Sequence, residues 1–338
     1  MSDGRRGMPG KGILERLAAG PVVGDGGYLL ELEKRGYVQA GPFTPEVSIT
    51  HPEALLELHR EFLRAGADVL QTLTFYASEE KLATVGLGDK VDEINRAATA
   101  IAREAAAESD ALVAGNLTLT WSYDPADPHS ADVVREQFDR QLNDQMALGI
   151  DFVICETYSF VGEALIATER AKLTGLPVMT TMSFTKLPHA EEGDSAAECA
   201  RKLVDAGADI VGVNCLRSPE AMLPLVREMR EAVSGYVAAQ PVAYRVPADS
   251  PDFTSLPEFP YELDTLQLTR RDFADYTREA LDMGVNFVGA CCGAVAEHVR
   301  AMAKIVGKLP AEEREWKSPT GRPMSGYEYY GHDEKEPV

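Results

Sequence analysis

The sequence predicts a single-domain (β/α)8 barrel, the TIM-barrel class of α/β fold, on three observations. Eight short apolar runs alternate with eight longer amphipathic stretches between Val22 and Leu309. Several amphipathic stretches end on a glycine, which often closes a helix, and the next apolar run follows at once. Apolar strands alternating with helices indicate a parallel sheet covered on both faces, and a barrel of eight such units usually needs about 250 residues.

The predicted strands and helices follow one another in a regular order. Strands are predicted near Val22 and from Asp68, Ala111, Asp151, Pro177, Asp209, Tyr236 and Asn286. The helices predicted after them cover, in the same order, 51–66, 90–108, 130–149, 161–175, 194–207, 218–234, 269–284 and 295–309. An open doubly wound sheet is the alternative, but no predicted strand leads into the G-x-G-x-x-G turn of that fold.

Two connections are longer than the others, 28–50 after the first strand and 243–268 after the seventh. Loops that follow barrel strands lie over the catalytic face, so these two are expected to be binding elements. We predict a flexible N-terminus over 1–11, the barrel over 12–309 and a polar C-terminal tail over 310–338.

Composition and charge exclude several classes of function. The chain is 45% hydrophobic, as ordinary globular proteins are. With 33 basic and 54 acidic residues its formal net charge is -21, which opposes binding to nucleic acid or to an anionic membrane. No apolar run is long enough to span a membrane and the first residues lack the apolar core of a secretory signal, so a cytoplasmic location is expected.

Three of the five cysteines follow predicted strands. Cys215 ends the sixth strand in the sequence GVNC, and Cys291 and Cys292 end the eighth in GACCG. The carboxyl ends of the strands meet at the mouth of a barrel, so the three sulfurs are predicted to converge there. Three thiolates suit zinc and leave its fourth position open, which is typical of a catalytic site. A disulfide between the adjacent cysteines is the alternative, and Cys155 and Cys199 are interpreted as core residues.

The chemistry of such a zinc site is limited by its charge. Zinc held by three thiolates carries a formal charge of minus one and is a poor Lewis acid for a carbonyl. It can still bind a substrate thiol and keep the thiolate electron-rich. The sequence therefore predicts alkyl transfer to a thiol.

The GVNC and CCG motifs resemble those of the homocysteine S-methyltransferases. The runs GDGGYLLELEKRGYVQAGPFTPE, HREFLRAGADVLQTLTFYASEEKL and QPVAYRVPADSPDFTSLPEFPYEL are similar to the betaine–homocysteine branch of that family, and the resemblance covers 12–308. It implies zinc on Cys215, Cys291 and Cys292, with the homocysteine sulfur as the incoming ligand. Tyr76 of TFYAS would lie by the metal and occupy its vacant position before substrate arrives.

The same resemblance implies how homocysteine is held. Asp25 in GDGG and Glu156 after the fourth strand would bind its amino group, with Gln71 and Thr72 nearby. An ammonium needs carboxylates, and both acids end strands that face the mouth. Helix capping or solvation is the alternative role for the two acids.

The methyl donor is expected to be a small onium cation bound by aromatic faces. Phe75 and Tyr76 match the family's aromatic cage, but Phe43 stands where the family has a tryptophan. Trp121 is a candidate to replace the lost face, with loop packing as its alternative role. From their position alone, Tyr244 and Arg245 are candidates to bind a donor carboxylate.

These features predict zinc-dependent methyl transfer from glycine betaine to homocysteine, giving methionine and dimethylglycine. A sulfonium such as dimethylsulfoniopropionate or S-methylmethionine, or another N-methylated betaine, is the alternative donor. A noncatalytic zinc or thiol sensor on a barrel is the alternative from another class. The six histidines lack metal-binding spacing and are interpreted as surface or capping residues. The family carries a long C-terminal extension that assembles its subunits, and for this chain at most a homodimer is expected.

Overall fold

The computed structural model describes residues 12–39, 41–42, 44–247 and 252–309, and within them eight parallel strands form one sheet. The order of the strands along the sheet is β1-β8-β7-β6-β5-β4-β3-β2. In chain order they are β1 (Val22–Val23), β2 (Val69–Gln71), β3 (Leu112–Thr118), β4 (Phe152–Tyr158), β5 (Val178–Met182), β6 (Ile210–Asn214), β7 (Tyr236–Gln240) and β8 (Phe287–Val288). Each predicted strand is present, and the first pairs with the last, so the predicted (β/α)8 barrel is confirmed.

Helices connect the strands on the outside of the barrel. In the described residues they are α1 (Ile13–Ala19), α2 (Leu29–Lys34), α3 (Val47–Thr50), α4 (Pro52–Ala65), α5 (Glu79–Ala83), α6 (Val91–Ala106), α7 (Ser130–Met146), α8 (Val161–Lys172), α9 (Ala196–Asp205), α10 (Pro219–Ala232), α11 (Arg270–Asp282) and α12 (Ala296–Val306). The eight predicted helices correspond to α4 and α6–α12. The short helices α1, α2, α3 and α5 are additional to the prediction. None of the described helices is long and apolar enough to cross a membrane.

Four residues clamp the strands in pairs at the amino-terminal end of the barrel. Each donates its backbone N–H to the carbonyl oxygen of one residue on the preceding strand. Its side-chain oxygen accepts the backbone N–H of that strand residue. The side-chain bonds measure 2.7–3.1 Å. The pairs are Asp68 with Val23, Asp151 with Val113, Asp209 with Val178, and Asn286 with Val237. These four strand clamps join β1 to β2, β3 to β4, β5 to β6 and β7 to β8.

The bottom of the barrel is closed by α1. Its residues Ile13 and Leu17 are buried and pack against inward-facing side chains of the strands, such as Phe152, Met179 and Phe287. A larger apolar cluster fills the layer between the strands and the outer helices. Among the described residues, side chains fill the lower end of the barrel interior, so the room for a ligand inside the barrel lies at the carboxyl ends of the strands.

The predicted flexible N-terminus over 1–11 and the polar tail over 310–338 lie outside the described residues. The connection after β1 contains α2 and α3. The described part of the connection after β7 contains two short 3-10 helices, Phe253–Ser255 and Leu263–Leu266. Both connections lie at the carboxyl ends of the strands, as expected.

Candidate metal centre and substrate site

The three cysteines predicted to bind metal meet at the mouth of the barrel. The Sγ atoms of Cys215, Cys291 and Cys292 all lie within 4.8 Å of one another. Cys215 follows β6 and donates its backbone N–H to Gln240, while Cys291 donates to Pro241, so both are fixed beside the end of β7. In the described part of the chain, no other group of three such side chains could hold a metal ion.

The spacing of the sulfurs fits a tetrahedral thiolate site. The Sγ atoms of Cys215 and Cys292 are 3.7 Å apart. A tetrahedral zinc with Zn–S bonds of about 2.3 Å places its sulfurs about 3.8 Å apart. Sulfur ligands select zinc or other soft metals over magnesium and calcium, so the donor set also fits zinc.

The thiols of this cluster differ in their acidity. Hydrogen bonds from Cys291 and Cys292 hold the pKa of Cys215 well below its ordinary value. The same interactions, together with burial, raise the pKa of Cys291 and Cys292. The cluster thus already favours one thiolate, which is the form that binds metal. By contrast Cys155 and Cys199 are fully buried in the apolar core, which confirms their predicted packing role.

Glu156 stands at the end of β4 and is held by three amide side chains. It accepts hydrogen bonds from Gln71 at 2.6 Å, Asn116 at 2.8 Å and Asn214 at 3.0 Å. Burial raises its pKa to about 8, because a charged carboxylate loses hydration inside the barrel. The amide donors orient both carboxylate oxygens, so Glu156 is a fixed acceptor for a cation.

Asp25 lies beyond Gln71 on the opposite side of the same network. Its carboxylate accepts the backbone N–H of Gln71 at 2.7 Å and the hydroxyl of Tyr28. The Tyr28 hydroxyl is also 3.0 Å from Nδ1 of His59. Burial raises the pKa of Asp25 to about 7, and Gln71 links it to Glu156 through one side chain and one backbone amide. Gln71 therefore sets the distance between these two buried carboxylates, which together could bind a positive charge.

The cysteines and the carboxylates share one cavity. Its volume is about 800 Å³, counting the part open to solvent. The predicted residues in its walls are Asp25, Gln71, Thr72, Phe75, Tyr76, Glu156, Cys215, Cys291 and Cys292. Ala290, which precedes the cysteine pair, is also in the wall.

An aromatic wall forms one side of the cavity. The ring centroids of Phe75 and Tyr76 are 4.3 Å apart, and Tyr76 adopts a left-handed backbone with φ of 56°. Burial raises the pKa of the Tyr76 hydroxyl to about 12, so the phenol is neutral at physiological pH. Trp121 packs edge-on to Tyr76 with the ring centroids 6.3 Å apart, but it is 61% exposed and lies outside the cavity lining.

Two other candidates, Tyr244 and Arg245, do not line the cavity. Tyr244 is buried and stacks on Phe253, and neither it nor Arg245 is part of the cavity lining. The guanidinium of Arg245 is largely exposed and lies 3.6 Å from Asp272. The predicted cage residue Phe43 lies outside the described residues.

Sequence reasoning missed several polar residues of the site. Tyr28, Asn116, Asn214 and Gln240 were not singled out, although each is part of the cavity or of the network around it. The interpretation of His59 as a surface or capping residue was wrong, because its side chain is fully buried beneath Tyr28. A polar residue inside an otherwise apolar strand was the available signal for Asn116, Asn214 and Gln240.

Comparison with known proteins identifies the family. A family model described as homocysteine S-methyltransferase matches residues 22–306. The chain belongs to the homocysteine S-methyltransferase family. It is therefore a methyltransferase, and the family predicted from the GVNC and CCG motifs is confirmed.

The similar proteins include homocysteine S-methyltransferases named for two different methyl donors. Betaine–homocysteine S-methyltransferase 1 of Mus musculus is 47% identical over 309 residues, covering 87% of this chain and 74% of the relative. An S-methylmethionine–homocysteine S-methyltransferase of Pongo abelii is 42% identical over 308 residues, covering 88% of this chain and 82% of the relative. Among solved structures, the metallated homocysteine methyltransferase MmuM of Escherichia coli superposes with a TM-score of 0.67 at 19% identity, over 83% of this chain and 95% of that one. This last similarity supports the fold.

Proposed function

We propose that this protein transfers a methyl group from glycine betaine to homocysteine, giving methionine and dimethylglycine, with zinc as its resident metal. The observation that carries the proposal is the meeting of three cysteine sulfurs, two buried carboxylates and an aromatic wall in one cavity. Besides their carboxylates, the two substrates bring a thiol, an ammonium and an onium. Each has a matching partner in the cavity.

Cys215, Cys291 and Cys292 would hold the zinc, since their sulfurs have the spacing and chemistry that it prefers. Zinc bound there would hold the sulfur of homocysteine as a nucleophilic thiolate at neutral pH. Tyr76, whose neutral hydroxyl lies in the same cavity, is the residue we propose to stand beside the metal before homocysteine binds.

Asp25 and Glu156 would bind the ammonium of homocysteine. Both are buried, and burial of an unpaired carboxylate is unfavourable, so an ammonium placed between them restores the missing counter-charge. Gln71 fixes the distance between them, and Thr72 lies in the adjacent wall. This arrangement orients the amino acid and thereby the direction in which its sulfur points.

Phe75 and Tyr76 would hold the donor methyl groups against their ring faces. A quaternary ammonium is attracted to aromatic faces by about 2 kcal/mol or more when it is removed from water. The rings therefore favour a permanently charged onium and keep water away from the reacting methyl group.

A panel of donors tests the assignment. Purified, zinc-loaded protein is incubated with homocysteine and equal concentrations of glycine betaine, dimethylsulfoniopropionate or S-methylmethionine, and methionine is quantified. We expect the highest kcat/KM with glycine betaine. A higher kcat/KM with either sulfonium would overturn the named donor and keep the transferase. The 42% identity to an S-methylmethionine-dependent relative is the reason to include that compound.

A zinc or thiol sensor is the candidate from another class. It would bind zinc at the cysteines and form no methionine from any donor in the panel. The two carboxylates and the aromatic wall would then have no role, which is why we favour the transferase. A homodimer and a cytoplasmic location stay predictions. Analytical ultracentrifugation of the full chain tests the first.

A further inference from the structure

A lysine ammonium lies in a corner formed by two aromatic rings at the rim of the site. The Nζ of Lys81, on α5, is 4.3 Å from the ring centroid of Tyr76 and 4.4 Å from that of Trp121. The two rings meet at 72°, so each presents a surface to the ammonium. Cation–π attraction to both rings fixes the position of a side chain that is otherwise flexible.

This ammonium has no anionic partner among the described residues of the chain. The side-chain Nζ of Lys81 makes no hydrogen bond or ion pair with any of them. The acids on its own helix are already engaged, since Glu79 pairs with Arg140 at 2.8 Å and Glu80 accepts a hydrogen bond from Ser122. Partial burial lowers the pKa of Lys81. The N–H donors of Lys81 are therefore available to an anion from outside the described chain.

The position of Lys81 relates it to the methyl donor. Tyr76 lines the cavity, whereas Lys81 and the exposed Trp121 do not. The ammonium thus lies at the outer edge of the aromatic wall, next to the ring proposed to hold the onium. A donor with its onium against Tyr76 and a carboxylate one or two carbon atoms away would meet the charge of Lys81.

We propose that Lys81 determines donor specificity by binding the carboxylate of a zwitterionic onium. The inference rests on the proposed function and adds the chemical class of the donor. A zwitterion gains an ion pair with Lys81, while an onium without a carboxylate meets only the like charge. Trp121 acts here as a positioning residue, because it holds the ammonium and does not touch the cavity.

Replacement of Lys81 tests the inference with two donors that differ in the carboxylate. The variants Lys81→Met and Lys81→Arg are compared with wild type using glycine betaine and trimethylsulfonium, with homocysteine saturating. For Lys81→Met we expect the KM for glycine betaine to rise about tenfold or more, as loss of a charged hydrogen bond does. The KM for trimethylsulfonium should stay constant or fall. Lys81→Arg should restore most of the glycine betaine affinity.

The control variant is Lys90→Met, which removes a surface lysine that pairs with Glu93 at 2.8 Å. It should change neither KM. Equal changes for both donors in Lys81→Met would indicate a general structural effect and overturn the inference. A lower KM for glycine betaine would also overturn it, because Lys81 would then be occupying the donor's own cation site.

Calorimetric binding of glycine betaine to the zinc-loaded protein saturated with methionine, which has no thiol to accept the methyl group, separates this inference from the proposed function. Weaker binding to Lys81→Met than to wild type supports the inference even without turnover. Equal binding to both overturns the role of Lys81 and leaves the transferase intact. A wild type that binds trimethylsulfonium but no glycine betaine would overturn both.

Discussion

The inside of the barrel has two halves that differ in chemistry although the same strands build both. In the lower half, the inward-facing residues of β4 are Phe152 and Ile154, which pack with α1. Two residues further along the same face is Glu156, in the cavity. On β3 the residues of the inward face are Leu112, Ala114 and then Asn116. On β6 they are Ile210, Gly212 and then Asn214. Side chains two apart on a strand share a face, so each strand changes from apolar to polar along one line.

This difference separates stability from chemistry. The lower half buries apolar area, which is the main favourable term in folding. The upper half buries carboxylates and amides, which stabilise the fold little. Their burial becomes favourable when a ligand supplies the opposite charge. A protein built in this way can lose function without unfolding, or lose stability without changing its site.

Backbone conformation follows the same division. Among the described residues, the non-glycine residues with positive φ are Tyr76, Trp121, Thr157, Cys215 and Leu216. Thr157 lies near the carboxyl end of β4 and the other four lie in the connections that follow strands, and all of them except Trp121 line the cavity. Such conformations cost free energy and persist where the surrounding structure holds them, often at functional sites.

Cys215→Ala should give the largest effect in the upper half. It removes one of three sulfur ligands, so bound zinc is lost and methionine formation falls on the order of a thousandfold. Between the metal-free proteins the free energy of unfolding should change by less than about 1 kcal/mol, because the side chain lies outside the main core. Metal analysis, a methionine assay and urea denaturation measure the three quantities. Cys199→Ala is the control and should keep both zinc and activity, so loss of zinc in both variants would contradict the assignment.

Phe152→Ala should give the largest effect in the lower half. Truncating this fully buried ring is expected to lower the free energy of unfolding by about 3–5 kcal/mol. Chemical denaturation measures this loss. The activity of the remaining folded protein should equal that of wild type. If kcat/KM of the folded fraction also fell tenfold, the two halves would not be independent.

Glu156→Gln should act in opposite directions on binding and on stability. Loss of the carboxylate is expected to weaken homocysteine binding about tenfold to a hundredfold. The pKa of Glu156 is raised in the folded protein, so its neutral form prefers the folded state. Stability is therefore lost as pH rises from the unfolded value toward about 8. Glutamine stays neutral at every pH. At pH 8 the free energy of unfolding of the metal-free variant should therefore exceed that of metal-free wild type by about 1 kcal/mol, as measured by urea denaturation. A variant that is less stable at pH 8 would contradict this view of the upper half.

The pH dependence of ammonium binding should be the smallest effect. In the ligand-free site burial raises the pKa of Asp25 to about 7 and that of Glu156 to about 8. An ammonium needs both as carboxylates, so affinity should fall as pH decreases from 8 to 7, by up to about tenfold for the two groups together. Calorimetry with methionine, which has the same amino group and no thiol to titrate, measures this directly. Affinity that stays constant over this range would show that neither carboxyl is protonated in the empty site.

The sequence alone predicted the barrel and the convergence of its three cysteines because both depend on regular spacing. Apolar runs and glycine-ended helices repeat along the chain, and Cys215, Cys291 and Cys292 each follow a strand within four residues. Parallel strands in a barrel bring such ends together whatever the details of packing. The four strand clamps were also visible as Gly-x-Asp or Gly-x-Asn before every second strand, but this repeat was not recognised.

The rest depends on contacts that no local pattern specifies. Nothing in the sequence near Tyr28 indicates that its hydroxyl joins Asp25 to His59, since that contact needs α4 to pack beside the first loop. Helix α1 is only seven residues long, and its role in closing the barrel follows from its burial against eight strands. The cation–π contacts of Lys81 likewise join two separate connections.

The four strand clamps give the barrel a modular construction. Each quarter, two strands with their helices, contains both members of its own clamp and is repeated four times around the axis. Recombination between relatives at the borders of these quarters would keep every clamp within one parental segment. A border between the two strands of a quarter would take the two residues of one clamp from different parents. Chimeric enzymes with new donor preferences are therefore best assembled by quarters.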